Sequence, residues 1–161
     1  MPLELHPEYP PEGVPLENRF PREQIREVYA TLQQRGREFG ISFGNVTRTS
    51  NSRQALQAAE YAREQGLFEP MHEALLKAFF SEASDIGDRE VLLAIARSVG
   101  LDADDLDRAL DQGQFMPRLE QATAQALDLN IRAAPTFVLE NGRIIVGAQP
   151  LEVLRQALVT V

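Results

Sequence analysis

The sequence predicts an α/β domain in which a small sheet is interrupted by a run of helices. Three observations carry this reading. Thr136 to Leu139 and Ile144 to Val146 are rich in β-branched and apolar residues, and they flank Asn141-Gly142, the strongest short-range hairpin signal. Between them and the N-terminal region, apolar residues recur at helical spacing in several segments punctuated by glycines. Near the start, Leu3-Glu4-Leu5 alternates apolar and polar residues and reads as a short strand. A lone hairpin is marginal in water, so this strand is expected to join it, with helices covering both faces.

The elements follow in order. The Leu3–Leu5 strand runs into the turn-rich stretch from His6 to Pro15. From Pro21, a good first helical residue, Ile25, Val28, Tyr29 and Leu32 mark an amphipathic helix that ends between Gly36 and Gly40. Ile41-Ser42-Phe43 can be extended. Ser50 or Asn51 caps a second helix whose inner face is small, with Ala55, Ala58, Ala59 and Ala62, and Gly66 ends it. The third helix carries Leu67, Met71, Leu75, Ala78 and Phe79.

Asp88 is the expected N-cap of a helix bearing Val91, Leu92, Ile95, Ala96 and Val99, stopped by Gly100. Asp102 caps the next, with Asp105 in its first turn, Leu106 and Leu110 inward, and Gly113 at its end. A further helix from about Pro117 to Leu129 leads into the loop before the hairpin. The hairpin's turn is expected to be type I′, which needs positive φ at both central positions. After Pro150, Leu151, Leu154, Ala157, Leu158 and Val161 share one helical face.

Composition narrows the function. The 161 residues are 43% hydrophobic and 25% charged, suited to one globular domain with a core. A net charge of −8 and a pI near 4.8 argue against nucleic acid and anionic membranes as partners. No apolar run reaches the length of a membrane span, and Met1 to His6 has neither a basic nor an apolar signal region, so the expected location is cytoplasmic. With no cysteine, the chain holds no disulfide, thiolate nucleophile or thiolate metal ligand.

The remaining chemistry-bearing residues read as structural. His6 and His72 lie in different elements without a second ligand at helical spacing. Asp102, Asp104, Asp105, Asp107 and Asp111 lack the glycine and terminal glutamate of a calcium loop, and a solvated helix face accounts for them. Phe68, Phe79 and Phe80 are expected in the core. There is neither a nucleophile elbow nor a phosphate-cradling glycine loop. No catalytic residue, metal or cofactor is expected. Pro135 belongs at a strand start, because proline cannot donate to a ladder; on its own it is an ordinary trans proline by about twenty to one.

Three segments together carry a family resemblance. They are Asn45-Val46-Thr47-Arg48-Thr49-Ser50-Asn51-Ser52 with the following Ala55 and Tyr61-Ala62; Phe79-Phe80 with Asp85-Ile86-Gly87-Asp88 and Val91-Leu92; and Ala134-Pro135-Thr136-Phe137 with Val146-Gly147-Ala148-Gln149-Pro150. Over essentially its whole length the chain resembles DsbA-like thioredoxin-fold proteins of the FrnE-like branch, which are close to 2-hydroxychromene-2-carboxylate isomerases and kappa-class glutathione transferases. The resemblance implies one domain over residues 1–161, with a helical insertion at about 45–130 and the closing strand-strand-helix of the thioredoxin core at 131–161.

It further implies that Pro135 is the family's cis-proline, that Ala134 before it offers backbone groups to a substrate peptide or to glutathione, and that Ala134, Pro135 and Thr136 line the groove that would hold a peptide or protein substrate. In the family a first strand and a first helix carrying Cys-x-x-Cys precede the strand represented by Leu3–Leu5, and this sequence starts after both. The expectation is therefore a member of a thiol-disulfide oxidoreductase family that is inactive alone, in a truncated form; the alternative is a non-catalytic peptide- or protein-binding module. Leu3–Leu5 is expected to slide into the place of the first strand, or a second copy to fill it in a homodimer by strand exchange.

Overall fold

The computed structural model describes residues 1–159. Its elements are β1 (Val14–Pro15), a 3₁₀ turn (Leu16–Asn18), α1 (Arg22–Arg37), β2 (Arg48–Thr49), α2 (Arg53–Glu64), α3 (Phe68–Phe80), α4 (Arg89–Ser98), α5 (Ala103–Asp111), α6 (Met116–Asp128), β3 (Thr136–Val138), β4 (Ile144–Val146) and α7 (Leu151–Val159). Val161 of the expected last helical face lies outside the described residues.

The core lies among the helices. Ala55, Ala58, Ala59 and Ala62 of α2 are all buried, and their small side chains let α3, α4 and α5 approach closely around Met71, Leu92 and Leu106. Phe115 enters the same cluster from the start of α6, its ring edge-on to Tyr61. Asp88 and Asp102 cap as expected, accepting from the Glu90 and Asp105 amides. Asn51 Oδ1 accepts from the Arg53 amide and orders the start of α2, although Ser52 occupies the cap position.

Several expectations are corrected. Leu3–Leu5 is not a strand and does not enter the hairpin sheet; two separate two-stranded sheets form instead, β1 with β2 and β3 with β4, both antiparallel. The reason is visible at Glu4, which turns inward to 7% exposure and accepts from Arg53 Nε at 3.1 Å. The segment is thus held by a buried side chain rather than by a ladder. β1 and β2, two residues each, escape detection by periodicity because alternation needs about four residues to register.

Ile41-Ser42-Phe43 forms no strand either. The acidic residues of α5 are more than a solvated face: Arg89 donates to the Asp107 carboxylate and carbonyl and to Asp111, each at 2.6 Å, and Asp105 receives the Tyr61 hydroxyl at 3.2 Å. Phe68 packs partly against the core, whereas Phe80 is exposed at its helix end, edge-on to Phe43 and Phe79. His72 stacks on Phe68, and His6 on Tyr9.

Candidate functional site

The chain leaves α6 through Asn130, which sits at φ +54°, and Arg132 donates to the Asn130 side chain at 3.0 Å. The next three residues, Ala133, Ala134 and Pro135, are exposed. The Ala134–Pro135 peptide is cis. Thr136 then enters β3, and its hydroxyl reaches back to donate to the Ala133 carbonyl at 2.7 Å, fastening the loop to the strand. Ala134, Pro135 and Thr136 therefore form one short, locally ordered rim at the mouth of the hairpin.

The hairpin register is Thr136 against Val146, Phe137 against Ile145 and Val138 against Ile144. The Gly147 amide donates to the Pro135 carbonyl at 2.8 Å, and the Leu139 amide to the Arg143 carbonyl at 2.9 Å. Antiparallel rungs alternate between bonded and non-bonded pairs, so Phe137–Ile145 is the bonded pair between them. The backbone N–H and C=O of Thr136 and Val138 consequently point away from β4. Among the described residues β4 is the only strand beside β3, and this outer edge carries no ladder. Pro135 does not block the edge, because its missing N–H belongs to the β4 side.

The turn differs from the expected type I′. Asn141 is not at positive φ; Gly142 alone is, at +80°. The Gly142 amide donates to the Leu139 carbonyl, and Asn141 Oδ1 accepts from the Arg143 amide. The connection is thus a three-residue loop, a turn followed by a left-handed glycine. One hairpin face presents Val138, Ile144 and Val146, all exposed, and Val146 is 53% accessible. The expected inner face of α7 is mostly open too: Ala157 is buried and Leu154 half-buried, while Leu151 and Leu158 stand in solvent.

No ionisable group lies in the rim itself, whose residues are alanine, proline and threonine. The site offers backbone donors and acceptors beside apolar surface. Such groups can pair with any chain that supplies complementary backbone donors and acceptors. Among the described residues no group of three or more His, Cys, Asp or Glu is placed to hold a metal ion, and no helix is long and apolar enough to cross a membrane.

A helical core joined to a closing hairpin and helix, with a proline-led strand at the junction, defines a thioredoxin-type architecture of the DsbA kind. The model of the DSBA-like thioredoxin domain family matches residues 1–159, and the chain belongs to that family. Among individual proteins it is similar to the uncharacterized protein YwbO of Bacillus subtilis (strain 168), 29% identical over 161 residues that make up 98% of this chain and 78% of that protein. Its fold matches the crystal structure of a probable DsbA oxidoreductase from Streptomyces coelicolor with a TM-score of 0.87. That match has 23% identity and covers 98% of this chain and 71% of the other.

The residues alone place Pro135 at a strand start, and the resemblance alone implies its cis form. The alternation of the rungs, which opens the Thr136 and Val138 edge, was missed because it depends on which rung is bonded. Gly147 is the sequence signal for it, since a glycine three residues before the next proline can take the φ of +82° from which its amide reaches Pro135.

Proposed function

We propose that this chain is the peptide-holding part of a DsbA-like thiol-disulfide oxidoreductase system and contributes no redox chemistry of its own. The observation that carries the reading is the unladdered outer edge of β3 directly after Ala134-Pro135. An extended peptide adds there as a strand, exchanging hydrogen bonds with Thr136 and Val138 and laying apolar side chains toward Val138, Ile144 and Val146. Ala134 and Pro135 form the entrance to that groove.

Thiol-disulfide exchange needs a thiolate to attack a disulfide sulfur. None of the 161 residues is cysteine. The chain alone is therefore expected to give no insulin reduction above the dithiothreitol background, and thiol-dependent turnover by it would overturn the proposal. The FrnE-like branch supplies the specific expectation that the peptides are protein substrates. A second copy offers the same outer edge, so pairing of two β3 strands would be the homodimeric form of the same site; sedimentation that shows only monomer at high micromolar concentration removes it.

Binding is tested by titrating the chain with carboxymethylated insulin B chain, an extended peptide without a free thiol. Saturable binding that is lost in Val138→Pro, which deletes an outward donor and leaves the bonded rungs to β4 in place, supports the proposal. Equal binding by the variant contradicts it.

A further inference from the structure

α1 is pinned at its two ends and stands clear between them. At its N-terminal side the 3₁₀ turn is tied down by the Leu16 amide, which donates to the Thr47 carbonyl at 2.9 Å. At its C-terminal side Gly36 is the one buried residue of the helix, and a Cβ there would run into the Ile41 carbonyl and the Phe43 ring. Gln33 adds a hydrogen bond from Nε2 to the Phe43 carbonyl at 2.8 Å. Between these anchors the apolar stripe finds too little to pack against: Ile25, Tyr29 and Leu32 are only half-buried, and Val28 is 49% exposed.

Two hollows result, one on each side of the Ile25–Tyr29 ridge and both bounded by Leu16. Helical geometry decides their chemistry, because residues four apart share a row. The row of Gln24, Val28 and Leu32, joined by Phe20, lines a hollow of about 220 Å³ that is almost wholly apolar. The row of Arg22 and Arg26 lines the other, of about 410 Å³, facing Asn45 and Thr47. Tyr29 borders both hollows, and its hydroxyl has no hydrogen-bond partner among the described residues.

From this juxtaposition we infer that the two hollows along α1 together bind a medium-chain carboxylate laid across the Ile25–Tyr29 ridge. Its hydrocarbon chain lies among Phe20, Val28 and Leu32, and its head group lies between Arg22, Arg26 and the Tyr29 hydroxyl. An apolar compartment beside a few convergent polar groups is the usual form of a small-molecule site. The two arginines are engaged by exposed glutamates, Arg22 with Glu17 at 2.7 Å and Arg26 with Glu23 at 2.8 Å. Exposed pairs of this kind are weak, so a ligand carboxylate that also buries its chain can displace them. Glu17 lines the polar hollow and is the ligand's competitor.

The test uses decanoate and, as the uncharged probe with the same chain length, 1-decanol, both titrated calorimetrically into the full chain. Decanoate is expected to bind saturably, with decanol weaker by about tenfold, the equivalent of one charge-assisted hydrogen bond. The double variant Arg22→Gln/Arg26→Gln should weaken decanoate by at least that factor and leave decanol unchanged. Glu17→Gln should tighten decanoate, an effect that general loosening of the fold would not produce. Absence of decanoate binding, equal affinity for the two probes, or indifference of decanoate to the arginine pair each overturns the inference. Peptide binding at β3 serves as an independent readout, and it should be the same in all these variants.

Discussion

The Gly147 amide donates to the Pro135 carbonyl across 2.8 Å, one rung beyond the paired strands. That single bond fixes the alternation of the hairpin. With Pro135 bonded inward, Thr136 and Val138 must face outward. Their backbone groups therefore sit beside the Ala134–Pro135 loop with no strand against them among the described residues.

Gly147→Ala tests how far the rung depends on glycine. The position has φ +82°, and the nearest side-chain atom to an added Cβ would be Gln149 Nε2 at 3.8 Å. Space is available, so the cost is conformational, about 1–2 kcal/mol for a left-handed non-glycine residue. The expected result is faster hydrogen exchange at the residue 147 amide with unchanged protection in α2 and α4. Loss of protection throughout the helical core would show that the hairpin is coupled to it more tightly than the structure indicates.

Leu92→Ala probes the core itself. Leu92 is fully buried at the meeting of α2, α4 and α5. Truncation should cost about 2–5 kcal/mol, the range for a buried leucine leaving a cavity. Urea denaturation followed by far-ultraviolet circular dichroism measures it, and a loss below about 1 kcal/mol would place the residue outside the cooperative core.

Tyr61 gives the fold a pH dependence. Burial, reinforced by the neighbouring Asp105 charge and the hydrogen bond to it, pushes the Tyr61 hydroxyl above the usual tyrosine range. The folded state thus holds this proton more tightly than the unfolded chain. The stabilisation is complete below the unfolded value of about 10 and is lost as pH rises through the folded value. Tyr61→Phe should cost about 1 kcal/mol at neutral pH. Its stability should fall less steeply than that of the natural chain above about pH 10. An identical slope for the two proteins would show that the hydroxyl is not linked to folding.

Much of the helical core was legible because its signals are local. Asp88 and Asp102 precede their apolar runs as capping side chains do, and the alanines of α2 recur on one face. Leu3–Leu5 misled because three alternating residues fit a strand as well as a segment anchored by one buried glutamate, and the Arg53 that anchors Glu4 is far away in sequence. Likewise Asp107 and Asp111 look solvated until Arg89 of α4 is placed over them. At the hairpin, Asn141-Gly142 located the turn but not its type, since one left-handed glycine suffices for a three-residue loop. The candidate site was legible only as a motif around Pro135. Its useful property, an edge with outward backbone groups, is a matter of rung alternation, which residue types do not encode.

The proposed function rests on β3 accepting an extended peptide on its outer edge. Amide chemical shifts of the isotopically labelled chain, recorded with and without carboxymethylated insulin B chain, test it most directly. The Thr136 and Val138 amides are expected to shift and gain protection from exchange, while the inward-bonded Phe137 and Leu139 amides change little. Shifts confined to other parts of the surface, with Thr136 and Val138 unmoved at saturation, would contradict it.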